Sequence, residues 1–290
     1  MKSIAALPKG RTEHVIFFGT PEIAVGPLRA LVAAGFAVDL VVTGVDKRRG
    51  RGSQTSPSPV KQAAIELQLP VTHEVSDAIA LVASSDAKFA GSYVGVVVAY
   101  GHIISAEALQ VLPMINIHYS LLPRWRGAAP VERALLAGDE QTGVCIMQVV
   151  EQLDAGDILS SATTQISQTD TTTTLRSRLG EIANPMLIEV LSNGVSTTQP
   201  QTGDIVVAAK ITQADLEIDW SKPAAVIDRQ VRVGGAFTFF HDKRFKIHSL
   251  KVSTEIFIAK PGNMVVVNDR VLVACGQGVV ELVEIQPEGK

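Results

Sequence analysis

Cysteine is scarce in this 290-residue chain: only Cys145 and Cys275 occur. One disulfide is formally possible, but a scaffold built on disulfides is excluded, and the reducing cytoplasm is the expected compartment. Long apolar runs are also missing. Nothing approaches the ~18 consecutive apolar residues of a membrane span, and Met1 to His14 lack the apolar stretch of a secretory signal. No membrane association is therefore expected. Excess charge of either sign is absent as well: 26 Lys and Arg stand against 29 Asp and Glu, a net charge of −3. A nucleic-acid partner would have to be held by local basic patches, because the overall field cannot hold it.

Several catalytic signatures are missing too. The turn after the first apolar run reads Gly19-Thr20-Pro21-Glu22-Ile23, without the G-x-G-x-x-G that dinucleotide binding requires. No P-loop, nucleophile elbow or H-E-x-x-H helix occurs. The histidines (His14, His73, His102, His118, His241, His248) are scattered without zinc-ligand spacing, so no metal is expected. Cys145 lies within the apolar run Val144 to Met147, a place for a core residue rather than a nucleophile.

What is present reads as a folded chain of about two domains, with 46% hydrophobic and 19% charged residues. Val15 to Phe18 predict a strand, residues from Thr20 to Gly35 a helix with Thr20 as its N-cap, and Val38 to Val42 a second strand. This opening points to a parallel sheet covered by helices. A helix opened by Ser58-Pro59, strands at Val94 to Ala99 and Met114 to His118, a helix over 128–137 and a strand at Val144 to Val150 continue the alternation. Asp170 or a neighbouring threonine is expected to cap a helix over 175–191. Beyond Gly203 the pattern changes to closely spaced β-rich runs with turn signals, Phe237 to Phe240, Phe245 to Leu250, Met264 to Val267, Val271 to Ala274 and Val279 to Ile285. These predict a small barrel. The expected domains are residues 1–205 and 206–290.

The densest polar cluster in an apolar setting runs from Asn116 to Pro130. Asn116 and His118 are two apart on a strand, so their side chains leave one face. A carboxamide N–H beside an imidazole can hold a developing oxyanion and move a proton. Equally, the histidine could be satisfied by a backbone carbonyl and the asparagine could cap a turn. Asp154, in Leu153-Asp154-Ala155-Gly156-Asp157, could orient His118 or simply serve an Asx turn. A further cluster, Asp46-Lys47-Arg48-Arg49-Gly50-Arg51, concentrates cations on a glycine-containing loop.

Asn116-Ile117-His118, Ser120-Leu121-Leu122-Pro123, Arg126-Gly127-Ala128-Ala129-Pro130, Gly138-Asp139, Thr142-Gly143-Val144 and Leu153-Asp154-Ala155-Gly156-Asp157 together resemble the methionyl-tRNA formyltransferase family. Phe18-Gly19-Thr20-Pro21 and Ile218-Asp219-Trp220 extend the likeness in order along the chain. The resemblance implies an α/β fold: a Rossmann-like formyltransferase domain with a parallel sheet, followed by an OB-like C-terminal β-barrel. It implies transfer of a formyl group from 10-formyltetrahydrofolate to the amine of methionyl-initiator tRNA. By position it assigns Asn116, His118 and Asp154 to catalysis. It places Ser120, Leu121, Leu122 and Pro123 at the folate site, with Tyr100 and Gly101 nearby. It assigns tRNA contact to Arg48, Arg49 and Arg51. Lys243, Arg244, Lys246 and Lys251 add a second basic patch suited to phosphate contact. A cytoplasmic monomer is expected. An amino-sugar-nucleotide formyltransferase or a formylfolate hydrolase would share the catalytic trio. The family's usual Pro-Trp-Pro-like stretch is replaced here by Val233-Gly234-Gly235-Ala236-Phe237-Thr238.

Overall fold

The computed structural model describes residues 4–48, 55–85, 92–195 and 197–289. The chain divides into two compact units: Met1–Ala128, Gly143–Thr164 and Arg176–Val207 form one, and Ala129–Thr142, Gln165–Leu175 and Ala208–Lys290 the other.

In chain order the elements begin with β1 (His14–Gly19), α1 (Val25–Ala33), β2 (Ala37–Val42), β3 (Lys47–Arg48), β4 (Thr55–Ser56), α2 (Pro59–Glu66), β5 (Val71–Thr72), α3 (Val75–Ser84) and β6 (Tyr93–Val98). They continue with α4 (Ala106–Val111), β7 (Met114–His118), β8 (Arg124–Gly127), α5 (Pro130–Ala137), β9 (Gln141–Gln148), β10 (Ile158–Gln165), α6 (Thr172–Asn193) and β11 (Val206–Ala208). The second unit adds α7 (Gln213–Leu216), α8 (Ala224–Val233), β12 (Phe237–Phe240), β13 (Lys243–Ser253), β14 (Met264–Val267), β15 (Arg270–Ala274) and β16 (Val279–Pro287).

The main sheet of the first unit has the order β10-β9-β7-β6-β1-β2-β5. Strands β5, β2, β1, β6 and β7 are parallel. β6 is buried along its whole length, as a central strand covered on both faces must be. Ile16, Phe18, Val42 and Leu109 form part of the core beneath it. The expected parallel sheet is present, and one strand beside it runs the other way: β9 pairs antiparallel with β7, His118 opposite Cys145. A fully buried strand has the same apolar pattern in either direction, so its sequence does not encode its polarity.

Local signals met their positions with one exception. Ser58 caps α2 by accepting a hydrogen bond from Lys61 N (3.0 Å), with Pro59 in the first turn. Thr171 accepts from Thr174 N (3.2 Å) and Thr174 from Thr171 N (2.9 Å), closing the start of α6. Thr20, expected to cap the first helix, does not. Its hydroxyl donates to the Tyr100 carbonyl and accepts from Gly44 N, each at 3.2 Å. It thereby ties together the loops that follow β1, β2 and β6, and a short 3-10 turn at Glu22–Ala24 precedes α1.

The second unit holds a five-stranded antiparallel sheet in the order β12-β13-β16-β15-β14, with a core that includes Ile218, Ile227, Ile247, Val273 and Val280. Asn268 and Asp269, at φ 49° and 62°, make the turn between β14 and β15. His241 and Asp242, at φ 48° and 60°, do the same between β12 and β13. Two consecutive left-handed residues match the twist of a tight hairpin. Asp219 Oδ1 accepts from Ser221 N (2.9 Å) and Ser221 Oγ (2.6 Å), ahead of α8.

Candidate active site

β7 carries Asn116 and His118 on one face. β9 runs antiparallel to it, so the last residue of β9, Gln148, pairs with Ile115. The loop that follows turns back over β7 and brings Asp154 against both side chains. Asn116 Nδ2 donates to Asp154 Oδ1 at 3.4 Å, and His118 Nδ1 stands 3.6 Å from Asp154 Oδ2. The three residues are thus brought together. His118 is buried, with only 5% of its side chain exposed, and Asp154 nearly so at 10%.

Of the two readings of His118, the bond to a backbone carbonyl is present. Its Nε2 lies 2.8 Å from the Trp125 carbonyl; a carbonyl only accepts, so Nε2 carries the proton. That bond sets the ring's orientation, a task expected of Asp154. It leaves Nδ1 as the nitrogen facing the carboxylate. Asp154 in turn accepts a 2.8 Å hydrogen bond at Oδ2 from Gly127 N. Its φ of 49° is in the left-handed region, which Asp tolerates better than most residues. Gly156 is required nearby: a Cβ there would stand 1.9 Å from the Gln148 carbonyl oxygen.

The segment 120–123 makes the turn after β7. Ser120 is buried and its hydroxyl donates to the Arg124 carbonyl at 2.6 Å. The Leu122–Pro123 peptide is cis, and Arg124 N closes the turn on the Leu121 carbonyl at 3.1 Å. Leu122 packs with Cys145, Met147 and Ile158. Leu121 is half-buried and abuts Gly143, whose missing Cβ would sit 2.5 Å from Leu121 Cδ2. Tyr100 is buried edge-on to Phe18, with ring centroids 5.6 Å apart. Burial also pushes its hydroxyl pKa up.

Arg48 lies on β3, whose Lys47 and Arg48 pair antiparallel with Ser56 and Thr55, so the two ends of the basic loop are joined as a ladder. The side chain of Arg48 and all of Arg49 and Arg51 lie outside the described residues. In the second unit, Lys243, Lys246 and Lys251 are exposed on β13. Arg244 instead lies over the Phe237 ring, 3.7 Å from its centroid, a cation–π contact.

Residues 13–191 match the family described as Formyl transferase, and residues 210–290 match Formyl transferase, C-terminal domain. The methionyl-tRNA formyltransferase of Ruegeria pomeroyi is 40% identical over 288 residues, covering 96% of this chain and 93% of that protein. The chain belongs to the methionyl-tRNA formyltransferase family. Among solved structures, the N-formyltransferase from Helicobacter canadensis in complex with folinic acid and dTDP-3-aminofucose aligns with a TM-score of 0.68 at 16% identity, over 95% of this chain and 99% of that one. HypX from Aquifex aeolicus in complex with tetrahydrofolic acid aligns at 0.66 and 16%, over 98% of this chain and 45% of HypX. At such identities these two likenesses concern the fold.

In this member of the formyltransferase family, residues beyond the expected set complete the site. Trp125 holds His118 and Gly127 holds Asp154, although only their backbone groups take part. Gly127 sits at φ 124°, where glycine is favoured. Gln201 also reaches the Asp154 loop. It carries no sequence signal, because the polar stretch Thr197-Thr198-Gln199-Pro200-Gln201 has neither apolar periodicity nor a motif.

Proposed function

We propose that this protein transfers the formyl group of 10-formyltetrahydrofolate to the free amine of methionyl-initiator tRNA, giving N-formylmethionyl-tRNA, and that it acts as a cytoplasmic monomer. The convergence of Asn116 and His118 of β7 with Asp154 of the loop after β9, in a chain similar along nearly its whole length to methionyl-tRNA formyltransferases, carries this conclusion. The donor set fits a folate-borne formyl group. Two N–H donors and a carboxylate stand beside a tightly packed turn, and the half-buried Leu121 offers apolar surface to a ring system.

Transfer forms a bond from the amine nitrogen to the formyl carbon and breaks the bond from that carbon to the folate nitrogen. Negative charge develops on the formyl oxygen. Asn116 Nδ2–H and, when protonated, His118 Nδ1–H are the donors suited to hold it, each such donor being worth about 3 kcal/mol in comparable sites. Asp154, through His118 or a water, takes up the proton that the amine loses and returns it to the leaving folate nitrogen, so that no net proton is gained or lost. Arg48, Arg49 and Arg51 contact the tRNA, supplemented by the exposed lysines of β13. These phosphate contacts position the substrate without reading bases.

Incubation with 10-formyltetrahydrofolate and methionine-charged initiator tRNA is expected to yield N-formylmethionine. Formylation confined to an amino-sugar nucleotide, or release of formate alone, would overturn the assignment. Arg51→Ala is expected to raise KM for tRNA and flatten its dependence on salt, because one phosphate contact fewer releases fewer counterions. An unchanged salt slope would remove Arg51 from the tRNA site.

A further inference from the structure

Two residues of β8 meet the candidate trio directly, and the residue between them reaches it through Gln201. The Trp125 carbonyl accepts from His118, and the Gly127 amide donates to the Asp154 carboxylate. Between them, the Arg126 guanidinium donates from Nε and Nη2 to a single acceptor, Gln201 Oε1, at 2.9 and 2.6 Å. The other end of that carboxamide faces the catalytic loop. Gln201 Nε2 donates to the Asp154 carbonyl at 2.9 Å and to the Gly156 carbonyl at 2.8 Å. All four hydrogen bonds that one carboxamide can make, two accepted and two donated, therefore join β8 to the backbone that carries Asp154.

We propose that Gln201 is a positioning residue for formyl transfer, holding the Asp154 carboxylate against His118 and Asn116; this rests on the catalytic roles proposed above. The loop's far end has its own anchors. Ile158 and Gln199 exchange backbone hydrogen bonds of 2.8 and 2.9 Å, and Thr198 Oγ1 donates to Asp157 Oδ2 at 2.9 Å. At Asp154 the backbone adopts a left-handed conformation, which carries a conformational cost even for Asp and is kept where the surrounding structure holds it. Gln201 binds the carbonyl of that very residue and of the second residue after it. Charge-assisted bonds from Arg126 orient the Gln201 amide so that its oxygen faces the guanidinium and its nitrogen faces the loop. Without the carboxamide, the carboxylate would be held by Gly127 N and the long contact to Asn116. Displacements of about 1 Å at a reacting group can lower rates by roughly 100-fold.

Two variants separate the parts of the clamp. Q201M keeps the side-chain length and removes both the acceptor and the donor. Q201E keeps an acceptor for Arg126 but sets an oxygen against the two loop carbonyls. In both, kcat for formyl transfer is expected to fall roughly 10- to 100-fold, with KM for folate and tRNA held within about twofold and Tm lowered by only a few degrees. The decisive readout is a double-mutant cycle. On a D154N background, whose residual rate is followed by single turnover, Q201M is expected to cost nothing further, because the group it positions is already gone. An undiminished kcat in Q201M, full activity in Q201E, or an equal loss with and without Asp154 would each overturn the positioning role. Full activity in D154N itself would instead overturn the catalytic assignment on which it rests.

Discussion

The Nε2 of His118 donates to the Trp125 carbonyl across 2.8 Å, so the ring's other nitrogen, Nδ1, is the one that faces Asp154 at 3.6 Å. The buried carbonyl fixes the tautomer of the neutral ring, and the imidazole reaches the candidate site through one defined nitrogen. His118→Ala is expected to lower kcat/KM by roughly 100- to 10,000-fold, the usual range for a positioned acid–base group. It also strips a buried carbonyl of its partner, at about 1–3 kcal/mol of stability. Steady-state kinetics beside thermal denaturation check both, and unchanged turnover would remove His118 from the mechanism.

Gly156→Ala tests how closely the Asp154 loop must approach β9. An added Cβ would stand 1.9 Å from the Gln148 carbonyl oxygen, and backbone cannot yield as a flexible side chain does. The loop must move, so kcat is expected to fall while folate affinity is largely kept. A fully active G156A enzyme would show that the loop's position does not limit the rate.

Both cysteines are expected to be inert in the native protein. Cys145 is 1% exposed and Cys275 7% exposed. Burial pushes the Cys145 thiol up, and that of Cys275 to about 11, whereas thiol reagents attack the thiolate. Titration with a chromogenic disulfide at pH 8 should register neither thiol in buffer and both in denaturant. Rapid native labelling of Cys145 would contradict the packing around Leu122.

Arg133 and Asp215 form a bidentate pair in the second unit, Nη1 to Oδ1 at 2.7 Å and Nη2 to Oδ2 at 3.0 Å. Hydrogen bonding from Arg133, with help from Thr212 N, lowers the Asp215 pKa from 3.8 to about 2. A depressed carboxylate pKa contributes stability above the unfolded value that is lost as pH falls through the folded one. Wild-type Tm should therefore drop more steeply than that of D215N between about pH 4 and pH 2. Parallel slopes would show that the pair adds nothing to acid stability.

Signals of short range in the sequence determined much of the secondary structure, and the ordered resemblance to a known family named the candidate trio. Ser58-Pro59 starts α2, the apolar run Met114 to His118 is β7 at the expected residues, and Asn116 and His118 share a face because side chains alternate along a strand. Three matters were left to the tertiary structure. The direction of β9 has no local signal, because a buried strand is apolar whichever way it runs. Thr20 had the chemistry of a helix cap, yet its hydroxyl found better-placed partners on Gly44 and Tyr100, far away in sequence. The grip on the site comes from the Trp125 carbonyl, the Gly127 amide and the Gln201 side chain. Every residue carries a backbone carbonyl, and nearly every one an amide, so composition cannot mark the few that do this. Gln201 lies 47 positions from Asp154, and only the folded chain brings its carboxamide to the loop that it holds.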